Sequence, residues 1–212
     1  AIHKTGHYGS IVGRSFSNMR EYAALVDEAA AEGADFIKIM TTGIMDFNEF
    51  GRITHEDLAA EEVREMVHIA HESGFVVMSH TNGKAAVLDA IEAGVDSIEH
   101  GNYIDEECID ALSETRVCFV PTATVARNLM GRGLFDESVL ERIWESSRET
   151  IARAIEAGCL VALGSDAGAV GVAHGQGICD EYACFKAAVP DVAMLDGRLE
   201  AGESCIRETF RS

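Results

Sequence analysis

The chain has 212 residues, 47% of them hydrophobic, and 36 acidic side chains against 17 Lys plus Arg give it a formal net charge of −19. That length and apolar content suffice for the core of one domain. The charge repels phosphate backbones and anionic lipid surfaces, which argues against nucleic acid and membrane as partners.

In chain order, SNMREYAALVDEAAAE (17–32) reads as a helix, with Asn18 three residues before Glu21 in a capping-box-like start. ADFIKIM follows, where Phe36, Ile37, Ile39 and Met40 read as a short buried strand with Lys38 among them. A buried ammonium is costly unless paired or neutralised. A helix is expected over 54–73, opening at Thr54 and carrying Leu58, Val63, Met66, Val67 and Ala70 at helical spacing. ESGFVVMSH closes a strand on His80, and EAGVDSIEH, after a helix over 83–93, closes the next on His100. A helix over 105–114 precedes the strand VCFVPT. The long helix over 136–157 has Val139, Leu140, Ile143, Trp144, Ile151 and Ile155 on one stripe, which makes Trp144 a core residue. EAGCLVALGSD then ends in Asp166. The recurring layout is a helix, a Gly that tolerates a left-handed backbone, and an apolar strand.

Strands alternating with helices imply a parallel sheet, with five strands near 35–40, 75–80, 96–100, 117–121 and 160–165. In a (β/α)₈ barrel the chemistry sits at the C-terminal strand ends. Lys38, His80, His100 and Asp166 lie there, each on a different strand. Singly, each has a plain structural reading: a satisfied His, a helix-capping Asp, a snorkelling Lys. Together, two imidazoles and a carboxylate suit zinc, iron, nickel or manganese. A lysine that reacts with carbon dioxide becomes an anionic carbamate, which binds metal like a carboxylate and removes the cost of burying the amine.

The ordered set IKIMTTG, SHTNG, DSIEHG, VPT (120–122) and GSD (164–166) resembles the metal-dependent amidohydrolase superfamily, in its imidazolonepropionase-like and prolidase-like branch. The resemblance covers about residues 1–188 and implies an α/β fold, a partial (β/α)₈ TIM barrel holding roughly strands 4 to 8. Residues 1–34 would be a strand-3 tail, loop and helix, 35–188 strands 4 to 8 with their helices, and 189–212 an atypical tail without the helix that normally follows strand 8. Carried over, Lys38 is a carbamylated bridging ligand, His80 and His100 bind the second metal, and Asp166 binds the first metal and acts as general base. Without metal, Lys38 is expected to pair with Asp166. His7, Tyr103 and His174 become candidate substrate contacts, whereas His55, His68 and His71 read as surface helix residues. One or two divalent ions, zinc foremost, and carbon dioxide on Lys38 are the implied cofactors. Two departures stand out: Asn82 replaces the second His of the strand-5 pattern, and no His-x-His occurs in the chain. The chain thus reads as a fragment lacking strand 1 and the flanking β domain.

The implied function is hydrolysis of an amide or related C–N bond in a peptide-like or cyclic substrate. Two alternatives remain open at this point: a non-catalytic barrel piece that at most binds one metal or a partner chain, and a Schiff-base enzyme using Lys38. A partial barrel exposes strand edges, so a homo-oligomer or a chain supplying the missing strands is expected. The six cysteines contain no C-x-x-C pair and read as free thiols of a cytoplasmic protein.

Overall fold

In the computed structural model, residues 1–210 are described, and they form a parallel sheet and eight helices. Strands β1 (Ile2–Lys4), β2 (Arg14–Phe16), β3 (Phe36–Met40), β4 (Val76–Thr81), β5 (Ser97–His100) and β6 (Cys118–Val120) lie in the order β2-β1-β3-β4-β5-β6, all parallel. The helices are α1 (Met19–Ala31), α2 (Ala60–Glu72), α3 (Lys84–Ala93), α4 (Glu106–Ser113), α5 (Thr124–Leu129), α6 (Glu137–Ala157), α7 (Gln176–Ala188) and α8 (Val192–Thr209). None is long and apolar enough to cross a membrane among the described residues.

Local sequence explains the element ends. Asn18 Oδ1 accepts the Glu21 amide at 3.1 Å, while the Glu21 carboxylate accepts the Ser17 amide at 2.7 Å, a reciprocal cap at the start of α1. Gly94 and Gly158 close α3 and α6 at φ of 87° and 84°, where a side chain would be strained.

The two faces of the sheet differ. Ile37, Ile39, Val77, Ile98 and Phe119 are buried, in one core with Val63, Met66, Val67, Val87, Ile109 and Ile151 of the helices. Phe36, Lys38, Val76 and Met78 alternate with the buried residues and stay partly open. Part of that open face is covered by α8, where Cys205 and Ile206 pack with Cys118, Val120, Leu160 and Ala162. Farther along, Phe210 meets Phe36 edge-on, ring centroids 5.6 Å apart.

Several expectations need correction. Lys38 is half-buried rather than sealed in apolar surroundings, because its face of the sheet is not closed over. The expected strand at 160–165 is reduced to one bridge, Val161 to Phe119. The helix expected from Thr54 starts at Ala60, because Thr54 Oγ1 is engaged by the Ile44 amide and the Leu58 amide by Thr41 O. The N-terminal stretch contributes two short strands. The C-terminal stretch is helical, as α7 and α8, with Asp191 capping α8 through the Met194 amide.

Two glycines of α8 separate packing from propensity. A Cβ on Gly202 would run into the carbonyl of Val161, whereas Gly197 has open space around it. Gly202→Ala should therefore destabilise the chain by about 2 kcal/mol through forced backbone displacement. Gly197→Ala should stabilise it by about 1 kcal/mol through helix propensity. Urea denaturation of both variants checks this, and equal stabilities would refute the packing of α8.

Candidate metal centre at the strand ends

Strand register builds the centre. Met40 pairs with His80, His80 with Glu99 and Glu99 with Val120, so all four share a row on the open face. Lys38 pairs with Met78 one row nearer the strand starts, about 7 Å below. His100 pairs with Thr81, and simple alternation would turn it away from His80. It does not turn away: the His80 and His100 rings meet edge to face with centroids 4.6 Å apart. The cause is backbone, since His100 sits at φ 75°. Among the described residues, the non-glycine residues with positive φ are His100, Tyr103, Thr122 and Asp166: His100 ends β5, and the other three lie in loops. Such conformations persist only where their surroundings enforce them, and they cluster at working sites.

Each imidazole is held through one nitrogen. Nε2 of His80 lies 3.0 Å from the carbonyl oxygen of Gly43. A carbonyl only accepts, so Nε2 carries the hydrogen and Nδ1 keeps its lone pair. Nδ1 of His100 lies 2.7 Å from Thr122 Oγ1. Asn82, which stands where the family pattern has a second His, ties the surrounding loops together. Its side-chain amide donates to Gly43 O at 3.0 Å, its Oδ1 accepts from Asn102 Nδ2 at 2.8 Å, and its backbone amide donates to Thr42 Oγ1 at 3.0 Å. Tyr8 stacks on His80, centroids 4.9 Å apart.

Burial, and then the neighbouring His100, push the His80 imidazole down to about 3. Burial, and then Lys38, do the same for His100, also to about 3. Both rings are therefore neutral, the form that binds metal. Glu99, buried beside them, is pushed up to about 7 by burial, against the opposing pull of Lys38 and of the 2.7 Å bond from Ser97. One of its oxygens, Oε2, has no partner. Asp166, exposed, lies near enough to act electrostatically on His80, Glu99 and Tyr8.

Lys38, His80, His100 and Asp166 thus gather in one electrostatic neighbourhood. The expected Lys38–Asp166 ion pair is absent among the described residues; Lys38 instead acts at longer range on Glu99 and both imidazoles. Of the proposed substrate contacts, His7 is half-buried with Nδ1 3.1 Å from Glu56 O, and His174 is exposed. Tyr103 packs edge-on against Phe50 and lines, with His100, a cavity of about 10 Å³. His55 is in a loop rather than a helix, tilted against Tyr8 at 5.9 Å. Tyr8 and Thr122 were not legible as site residues: one adjoins a more conspicuous His, the other sits inside a VPT match whose role was only positional.

The donor set fits a divalent ion in chemistry: two neutral imidazoles in contact, each with one nitrogen uncommitted to the protein. Among the described residues, no group of three or more His, Cys, Asp or Glu side chains is assembled to hold an ion. A third protein donor from this chain would be Lys38.

The sequence model of the Amidohydrolase family matches residues 10–192. An ochratoxinase from Aspergillus niger is 32% identical over 145 residues, 63% of this chain and 29% of that protein. A crystal structure of a Xaa-Pro dipeptidase with bound methionine superimposes with a TM-score of 0.76 at 26% identity, covering 98% of this chain and 55% of that one. The ochratoxinase crystal structure shares the fold at a TM-score of 0.71 and 22% identity, covering 96% of this chain and 48% of that one. The chain therefore spans about half the length of the solved structures and under a third of the ochratoxinase sequence it matches.

Four titratable groups of the interior contribute to the acid response of the metal-free chain. His80 and His100 have folded values near 3 against an ordinary 6.5, so stability present above pH 6.5 is lost as pH falls toward 3. Glu99 and Glu181 have folded values near 7 against an ordinary 4.5, so their contribution is present below pH 4.5 and lost as pH rises through 7. The two pairs oppose each other between pH 4.5 and 6.5, and below pH 4.5 only the histidines of these four groups still contribute. In thermal melts the His80→Asn plus His100→Asn variant should lose less stability than the parent on going from pH 4.5 to 3.5. Identical acid limbs would contradict the buried, neutral state of the two rings.

Proposed function

Because the chain belongs to the amidohydrolase family, we propose that it is the site-bearing part of a metal-dependent hydrolase of amide bonds in peptide-like substrates. The contact between His80 and His100, enforced by the left-handed backbone of His100, carries this reading. Lys38, His80 and His100 would hold one divalent ion, zinc by preference, with Lys38 donating as an amine or as the carbamate it forms with carbon dioxide. When bound, the ion supplies a polarised water and a Lewis acid for the scissile carbonyl.

The chain's own residues do the rest. Gly43 O and Thr122 Oγ1 fix the two imidazoles, which removes the entropy of orienting them. Asp166 takes the proton from the attacking water and returns it to the leaving amine. Tyr8 walls one side of His80 and, with His7 beside it in the chain, faces the substrate. The partly open face of the sheet, with Phe36, Val76 and Met78 uncovered in part, would be completed by a second copy or by a chain that supplies further strands.

A second reading, a non-catalytic barrel that at most binds one metal or a partner, draws on the absence of a three-donor group among the described residues. Turnover separates the two. The zinc-loaded chain should hydrolyse members of a panel of dipeptides and N-acyl amino acids, chelation should abolish this, and zinc should restore it. His80→Ala and His100→Ala should each lower kcat/KM by at least about 100-fold. No turnover across the panel by a chain that binds zinc would favour the second reading, and turnover indifferent to chelation would refute the first.

A further inference from the structure

Glu181, on α7, is fully buried and makes no ion pair among the described residues. Its Oε1 accepts the Ala123 amide at 3.0 Å and its Oε2 accepts the Thr124 amide at 2.7 Å. Both amides open α5, a helix that has no cap from its own sequence. The Ala123 amide belongs to the same peptide unit as the Thr122 carbonyl, so this carboxylate clamps the peptide that follows Thr122. Thr122 is held at φ 53°, a strained conformation for a β-branched residue. Its hydroxyl is the group 2.7 Å from His100 Nδ1. Three links therefore run from a helix on the far side of the loop to one imidazole of the centre: carboxylate to amides, strained peptide to hydroxyl, hydroxyl to ring.

We propose that Glu181 is a positioning residue for the metal centre, fixing the orientation of His100 through the Thr122 peptide. The proposal rests on the reading of His100 as a metal donor. A helix opening needs only one small polar cap, and a buried carboxylate is a costly way to provide it. What the bidentate carboxylate adds is restraint of two successive amides, and hence of the backbone that aims Thr122. Glu181→Gln keeps the shape but presents an NH₂ to one of the two amides, so one link is lost and replaced by a repulsive contact. Thr122→Val keeps the β-branch and removes the hydroxyl.

The test is run on the full chain with zinc and cobalt. His100→Ala should lose zinc affinity, which establishes the underlying reading. Glu181→Gln and Thr122→Val should each weaken zinc binding by about 10- to 100-fold and shift the visible spectrum of the cobalt-loaded chain. The double variant should be no weaker than the worse single one, because both act through the same ring. Phe185→Leu, a core change on the same helix, should lower the melting temperature and leave affinity and spectrum unmoved. Glu181→Asp serves where the Gln variant is too unstable, and should lose part of the affinity. The ¹⁵N shifts of the His100 ring in the metal-free chain should move in Glu181→Gln as they do in Thr122→Val. Parental affinity, spectrum and ring shifts in Glu181→Gln or Glu181→Asp, with His100→Ala impaired, would reduce Glu181 to a helix anchor. Parental zinc affinity in His100→Ala would overturn the metal reading itself, and this proposal with it.

Discussion

The pairing of His80 with Met40 on one side and Glu99 on the other is the constraint on which the rest depends. Register in a parallel sheet has a period of two, and a slip of one residue would send His80 into the apolar layer under the helices. That layer is what enforces the register: Ile37, Ile39, Val77 and Ile98 have nowhere else to be buried. The apolar face thus determines where the polar face places its chemistry. His100, one residue past the row, is brought back to it by a positive φ, and the neighbouring Thr122 and Asp166 are bent in the same sense. Strain at these strand ends is offset by the buried sheet behind them.

The centre is also an electrostatic compromise. Lys38 lies close enough to depress both imidazoles and to counter the desolvation of Glu99, yet bonds to none of them. Its half-buried position keeps part of the side chain in contact with solvent. A single unpartnered oxygen on Glu99 marks where the balance is least complete. Loop anchors do the remaining work. Asn82 joins the loops after β3, β4 and β5, and Thr122 reaches from the loop after β6, so four successive strand ends are tied around two rings.

The strand ends were legible in the sequence because helix, Gly and apolar strand recur with the chemistry at the last strand position. His80 and His100 stand at or beside those positions, whereas Lys38 lies mid-strand in β3 and Asp166 follows a run that forms only a bridge. The expected strand at 160–165 failed because an apolar run shows burial, not pairing, and only Val161 finds a ladder partner. The helix α8 was hidden by Gly197 and Gly202, which weaken a helical pattern, and one of them is there for close approach to Val161. Strands β1 and β2 have three residues each, too few for a period to register. Thr122, Tyr8 and Glu181 act through contacts 22 to 72 residues away in sequence, which no local pattern encodes.

The proposed function requires that the ends of β4 and β5 present two neutral imidazoles to one metal ion, with Lys38 as the third protein donor. Crystals of the chain grown with zinc, with diffraction recorded above and below the zinc absorption edge, address it directly. An anomalous peak is expected within coordination distance of one nitrogen of His80 and one of His100, on the side of Lys38. Zinc bound only elsewhere on the chain, with the His80 and His100 rings unliganded, would contradict it.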